Sequence, residues 1–167
     1  LDTPKMRHRR YWGPHDLAGK AIQAPGTPFG LSVVASGRKQ RTPKGPMPLS
    51  GMRVLDFSWV IAGPTTTRYL AAMGAEVIKV EAPGRGDPGR GSELHTVLGQ
   101  AKKSIVLDLK KPQSVEIARA LAAKSDILIE NYATGVMDRL GLGAEALKTV
   151  NPDLIYISAS GMGRTGP

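Results

Sequence analysis

The chain contains no cysteine, which excludes a disulfide framework and any thiolate metal site. Its three histidines, His8, His15 and His95, stand in no metal-ligand spacing and read as solvated polar residues, so no metal is expected. No apolar run approaches the roughly 18 residues that a membrane-spanning helix needs. No signal peptide is visible either, so the expectation is a cytoplasmic protein without a membrane partner. The strand–turn–helix stretch over 53–81 carries neither G-x-x-x-x-G-K-[ST] nor G-x-G-x-x-G. Ser160-Gly161-Met162-Gly163 is not the G-x-S-x-G of a nucleophile elbow. No nucleophile–base pair stands close in sequence, and Asp56, Asp108 and Glu130 read as structural hydrogen-bond acceptors rather than catalytic carboxylates.

Acidic residues are scarce as well, 14 Asp and Glu against 23 Lys and Arg, for a net charge of +9. The excess is local: residues 1–50 hold nine Lys/Arg against two Asp, whereas the rest of the chain is nearly balanced. A basic arm suggests nucleic acid, but this one has neither the aromatic interleaving of a single-strand binder nor the period of a basic helix. More than half of the 13 prolines also fall there, in stretches such as Pro25-Gly26-Thr27-Pro28 and Thr42-Pro43-Lys44-Gly45-Pro46. Residues 1–47 therefore read as a Pro-rich basic linker or tail, and a domain is expected over 48–167. The start at Leu1 and the loop-like Gly166-Pro167 read as a piece of a longer polypeptide.

The stretch Arg53 to Glu81 organises that domain. An apolar run from Val54 to Ile61 stops at Ala62-Gly63-Pro64; helix-compatible sequence, Gly74 and a second β-type run over 76–81 follow. That is strand, tight turn, helix, strand, with the two strands parallel. Pro64 is expected at the first helical position, and Thr65 to Thr67 then offer free N–H groups and hydroxyls at a helix N-terminus, which suits an anion. A Gly/Pro loop over 82–91 follows the second strand, and Arg85 and Arg90 in it suit phosphates. Further strands are expected over 104–109, 126–130 and 154–158. Helices are expected over 92–100, from Pro112 with the apolar face Ile117, Ala118, Leu121 and Ala122, over 136–140 and over 144–150. The β–α alternation predicts an α/β fold, a mainly parallel open sheet with helices on both faces. Its strand-end loops, rich in Gly, Lys, Arg, Asn and Thr, suit an anionic nucleotide-like ligand.

Seven blocks then come in one order: V-L-D-F-S-W-V-I-A-G-P (54–64), G-A-E-V-I-K-V-E (74–81), G-D-P-G-R (86–90), K-S-I-V-L-D-L-K (103–110), I-E-N-Y-A-T-G-V-M-D-R-L-G-L (129–142), N-P-D-L-I-Y-I-S (151–158) and S-G-M-G-R-T-G-P (160–167). Together they resemble the N-terminal part of the family III CoA-transferases, the formyl-CoA, crotonobetainyl-CoA and bile-acid CoA-transferase group. The resemblance implies a Rossmann-like domain, an interlocked homodimer, and coenzyme A or acyl-CoA as substrate alongside a carboxylic acid. Carried across block by block, it implies CoA contacts at Ile61 and Ala62, at Leu107, Asp108, Leu109 and Lys110, and at Asn131, Tyr132 and Ala133. Arg139 would approach the phosphates, and Ser160, Gly161 and Met162 would line the thioester end. In such enzymes an aspartate attacks the acyl-CoA thioester and an aspartyl-CoA intermediate forms. The family's pattern puts that aspartate beyond Pro167, so no catalytic residue is assigned here and the chain alone is expected to be inactive.

Two departures stand out. Formyl-CoA transferases carry a glutamine just before Ala-Gly-Pro where this chain has Ile61, which speaks against oxalate or formate as substrate. Some members carry a CoA-contacting arginine after the second strand where this chain has Ala82. The segment 24–32 loosely resembles the family's closing segment, as a tandem fusion would produce. Two alternatives remain: an α-methylacyl-CoA racemase of the same superfamily, and a non-catalytic basic module binding nucleic acid through residues 1–50.

Overall fold

In the computed structural model, residues 3–32, 42–84, 86–161 and 163–166 are described. They fall into two compact units, one built from the N-terminal segment to Ser36 with the last six residues, the other from 37 to 161.

The larger unit is a five-stranded, wholly parallel sheet. Its strands are β3 (Arg53–Asp56), β4 (Glu76–Glu81), β5 (Lys102–Val106), β6 (Ile127–Glu130) and β7 (Ile155–Ser158), in spatial order β5-β4-β3-β6-β7. Helices α2 (Ala62–Ala72), α3 (Glu93–Leu98), α4 (Pro112–Ala123), α5 (Val136–Arg139) and α6 (Ala144–Lys148) connect them. The chain steps outward from β3 through β4 to β5, then returns to lay β6 on the other side of β3. Strand order therefore reverses between β3 and β6, the place where open α/β sheets bind ligands beyond their carboxyl ends.

Alternation along each strand builds two cores. Leu55, Val80 and Leu128 face α4 to α6 and pack with Ala118, Ala122, Met137, Leu142 and Leu147. Val54, Val77, Ile127 and Ile129 face the other way, toward Leu70 and Ala71 of α2 and toward Leu49 and Met52 before β3. Ala118 and Ala122 let α4 sit close on the sheet, as its apolar pattern predicts, but Ile117 is exposed because it falls on the outer flank of that stripe.

Other boundaries differ from the sequence reading for identifiable reasons. The run after Asp56 leaves the sheet: Phe57 still donates its N–H to the Ile129 carbonyl at 2.8 Å, but Trp59 to Ile61 form a turn. Helix α2 starts at Ala62, so Pro64 is its third residue, not its first. The position still suits proline, since the N–H of a helix's third residue has no intrahelical partner. Strand β5 lies two residues earlier than expected, because Val77 to Glu81 register with Lys102 to Val106 and the lysines are part of the ladder.

In the smaller unit, Thr3 caps the short helix α1 (Pro4–His8), and β1 (Trp12–Leu17) pairs antiparallel with β2 (Lys20–Pro25). Ala18 and Gly19, both at positive φ, make the two-residue turn. The hairpin is exposed on nearly every position, so it has none of the hydrophobic alternation by which a strand announces itself in sequence. Arg9 donates to the Thr165 carbonyl at 2.6 Å within this unit.

Candidate functional site

The crevice at the β3/β6 reversal is bounded by the turn 57–61 and the loop 131–135. Asn131 ties the two together: its Oδ1 accepts the Trp59 N–H at 2.8 Å and its Nδ2 donates to the Trp59 carbonyl at 2.9 Å. The Trp59 and Tyr132 rings meet edge to face at 5.5 Å, an arrangement that contributes about 0.5–1.5 kcal/mol beyond area burial. Burial pushes the Tyr132 phenol above its ordinary pKa against a hydrogen bond from Trp59, with the Glu130 and Asp56 charges adding to the rise. Glu130, buried at the end of β6, accepts the Tyr132 N–H at 2.9 Å and the Ser158 hydroxyl at 2.6 Å, joining the β6 and β7 ends.

Beneath the turn lies a second, fully polar layer. Alternation places Asp56 and Lys79 in register on the α2 side of the sheet. Asp56 accepts the Ser58 N–H at 2.9 Å, the Ser58 hydroxyl, the Thr67 hydroxyl at 2.6 Å and the Lys102 ammonium at 3.2 Å. It is the structural acceptor the sequence suggests. Lys102 also donates to the Pro64 carbonyl at 2.9 Å and the Thr67 hydroxyl at 2.6 Å. Burial pushes the Lys102 pKa below the ordinary lysine value, while the Asp56 charge and hydrogen bond pull the other way. Lys79 reaches the Ser58 carbonyl at 2.8 Å and Asp87 at 3.2 Å. Asp87 in turn accepts the N–H groups of Gly89 at 2.9 Å and Val60 at 3.2 Å. Burial alone would raise the Asp87 pKa, but the Gly89 N–H, the Lys79 ammonium and the Val60 N–H outweigh it and hold it below the ordinary aspartate value.

Close packing fixes the turn from above. A Cβ on Gly63 would lie 2.1 Å from the Ser58 Cβ, so only glycine brings the start of α2 onto the buried serine. The anion site expected at Thr65 to Thr67 is corrected accordingly. With α2 beginning at Ala62, Thr65 already donates its N–H to Ile61 at 2.8 Å. Thr66 bonds back to the Ala62 carbonyl, and Thr67 is committed to Asp56. The first-turn N–H groups belong instead to Ala62 and Gly63. Arg90 is held by Glu81 rather than standing free in its loop, and Arg85 lies outside the described residues.

Each described candidate residue lies at the carboxyl edge of the sheet. Ile61 and Ala62 are exposed after β3, and Asn131, Tyr132 and Ala133 follow β6 on the other side of the reversal. Leu107 to Lys110 follow β5, two strands and roughly 10 Å from β3. There Leu107 is buried in the core, Asp108 accepts the Lys110 N–H at 3.2 Å, and the Lys110 side chain is exposed. Arg139, exposed on α5, folds back over Gly135, whose φ of +79° and absent side chain make room for the guanidinium. Ser160 and Gly161 follow β7 and are exposed; Met162 lies outside the described residues. Sequence reasoning missed Ser58, Lys79, Asp87 and Lys102. The available signal was Lys79, a lysine at the centre of E-V-I-K-V-E where alternation calls for an apolar residue.

A wholly parallel sheet with this reversal and helices between its strands defines an open α/β domain of the Rossmann-like kind. More specifically, the chain belongs to CoA-transferase family III, whose profile matches residues 49–167. It is 40% identical over 141 residues to human succinyl-CoA:glutarate CoA-transferase, covering 79% of this chain and 32% of that protein. It is 45% identical over 124 residues to formyl-CoA:oxalate CoA-transferase of Afipia carboxidovorans, covering 69% and 29%. Among solved structures, Rv3272 from Mycobacterium tuberculosis superposes with a TM-score of 0.69 at 41% identity, covering 73% of this chain and 35% of that one. A CAIB/BAIF family protein from Brucella suis gives 0.67 at 36%, covering 72% and 35%. The chain thus spans about a third of the length of its relatives.

Proposed function

We propose that this chain is the coenzyme-binding part of an acyl-CoA:carboxylate CoA-transferase. Coenzyme A, as substrate, would lie across the carboxyl edge of the sheet. Ile61 and Ala62, Leu107 to Lys110, Asn131 to Ala133, and Ser160 to Met162 would contact it, and Lys110 and Arg139 would meet its phosphates. The observation that carries this reading is the Asn131–Trp59 clasp, which joins the loops after β3 and β6 at the point of strand reversal in a family III chain. Exposed cations at Lys110 and Arg139 fit a polyanionic ligand.

The reaction would begin with an aspartate attacking the donor thioester, forming a mixed anhydride and expelling the CoA thiolate. The thiolate then attacks the aspartyl carbonyl, releasing the donor acid and leaving aspartyl-CoA. The acceptor carboxylate repeats the sequence in reverse. Asp56 and Asp87 are poor candidates for that nucleophile, since each is buried and already accepts several hydrogen bonds. We place the nucleophile outside these 167 residues and the active enzyme in a homodimer. Ile61 favours acids other than oxalate and formate. The racemase and nucleic-acid readings have less support, because the similar proteins are named as transferases.

Calorimetry on the full-length protein tests the site. Removing both cations in Lys110→Ala/Arg139→Ala is expected to weaken CoA binding at least tenfold, since a hydrogen bond to a charged group contributes about 1.5–3 kcal/mol. Unchanged affinity removes both residues from the site. An assay of the same protein with a panel of acids tests the substrate reading, which a preference for oxalate would overturn.

A further inference from the structure

Val60 is the most unusual residue at the crevice. Its φ is +67°, a left-handed conformation that β-branched side chains avoid, and the residue is 49% exposed, so packing does not force it there. What holds the backbone is beneath it. Both Asp87 carboxylate oxygens lie within 3.3 Å of the Val60 nitrogen. Asp87 is itself buried, anchored by the Gly89 N–H and by the buried Lys79 ammonium. Lys79 also holds the Ser58 carbonyl two residues earlier in the same turn. A loop after β4 thus reaches under the β3–α2 turn and fixes a conformation the turn would not adopt alone. Strain of this kind persists only where the surroundings over-determine it, and it clusters at ligand-binding sites.

We propose that Asp87, oriented by Lys79, is a positioning residue for coenzyme A: it holds Val60 in the left-handed conformation and so presents Ile61 and the first-turn N–H groups of α2 to the ligand before the ligand arrives. This rests on the CoA site proposed above. Asp87 touches no substrate; it acts through the backbone of Val60. Preorganising the turn spares binding the cost of ordering it.

The test compares two double variants of the full-length protein. Lys79→Met/Asp87→Asn removes both charges together, so neither is left buried and unpaired, but keeps an oxygen to accept the Val60 N–H. Lys79→Met/Asp87→Leu has the same charge and similar bulk without the acceptor. CoA binding by calorimetry is expected to stay within about threefold of the parent in the first and to fall about tenfold or more in the second, the loss of one such hydrogen bond. Equal affinities in the two variants, with a parent that binds CoA, overturn the positioning role alone. A parent that does not bind CoA overturns the site reading, and this proposal with it. Hydrogen exchange on the unaltered protein decides the matter even if the leucine variant does not fold. A Val60 amide protected before CoA is added sustains the proposal; one that exchanges freely until CoA arrives overturns it.

Discussion

At the scale of single residues, the crevice depends on what is absent from position 63. The backbone of Gly63 sits so close to Ser58 that a methyl group there would overlap the serine Cβ. The atoms facing it cannot yield cheaply, because Ser58 is buried and bonded to Asp56. Gly63→Ala is expected to lower stability by about 1–3 kcal/mol, the usual cost of overpacking a well-filled site. Gly13→Ala is the control, since nothing lies within 4 Å of the added Cβ. Urea denaturation of both variants checks it, and equal midpoints would mean that α2 moves away from Ser58 without penalty. Gly63 was legible in sequence as part of the Ala62-Gly63-Pro64 stop, but its contact with Ser58 was not. Ser58 comes from five residues earlier and meets it only once the chain has turned back.

At the scale of elements, the sequence reveals periodic segments better than the polar ties between them. Strand β4 was legible at both ends because Gly74 precedes its apolar run and Ala82-Pro83-Gly84 follows it. Helix α4 was legible from Pro112 and its alanines. The turn after β3 was misread as strand because Trp59, Val60 and Ile61 are β-type residues. Only the long-range bonds from Asn131 and Asp87 take them out of the ladder. Those ties predict a pH dependence. Asp87 has a pKa held below its ordinary value of 3.8 in the folded state. Its contribution to stability is therefore complete above that value and is lost as pH falls through the lower folded one. Thermal unfolding of the parent and of Asp87→Asn should differ by a constant amount from pH 7 to about pH 5. The difference should shrink only below about pH 4, where the parent carboxylate takes up a proton. Glu76, whose pKa is lowered by its bonds to Lys103 and Arg53, titrates in both proteins and cancels. A difference that fades near neutral pH would show that another group controls the turn.

At the scale of the whole molecule, one face of the sheet stops short of being covered. Tyr156 on β7 turns inward and packs against the core under α4 to α6. Its neighbours Ile155 and Ile157 face the other way and remain 40% and 37% exposed. They register beside Ile127 and Ile129, which are buried, so the apolar row that β6 hides continues onto β7 without a cover. Among the described strands β7 is also an edge, a position that invites another strand. Since the chain spans about a third of its relatives' length, residues outside it are available to cover that row. Two opposite outcomes follow for Ile155→Lys/Ile157→Thr. In the 167-residue chain, where the row faces water, the substitutions should reduce self-association in sedimentation velocity and leave the unfolding midpoint within the roughly 0.5 kcal/mol typical of surface changes. In the full-length protein, where the row would be covered, they should cost about 2 kcal/mol or more through a buried, unpaired charge. The same modest loss in both proteins would mean that nothing covers β7, and that its exposed isoleucines are simply surface.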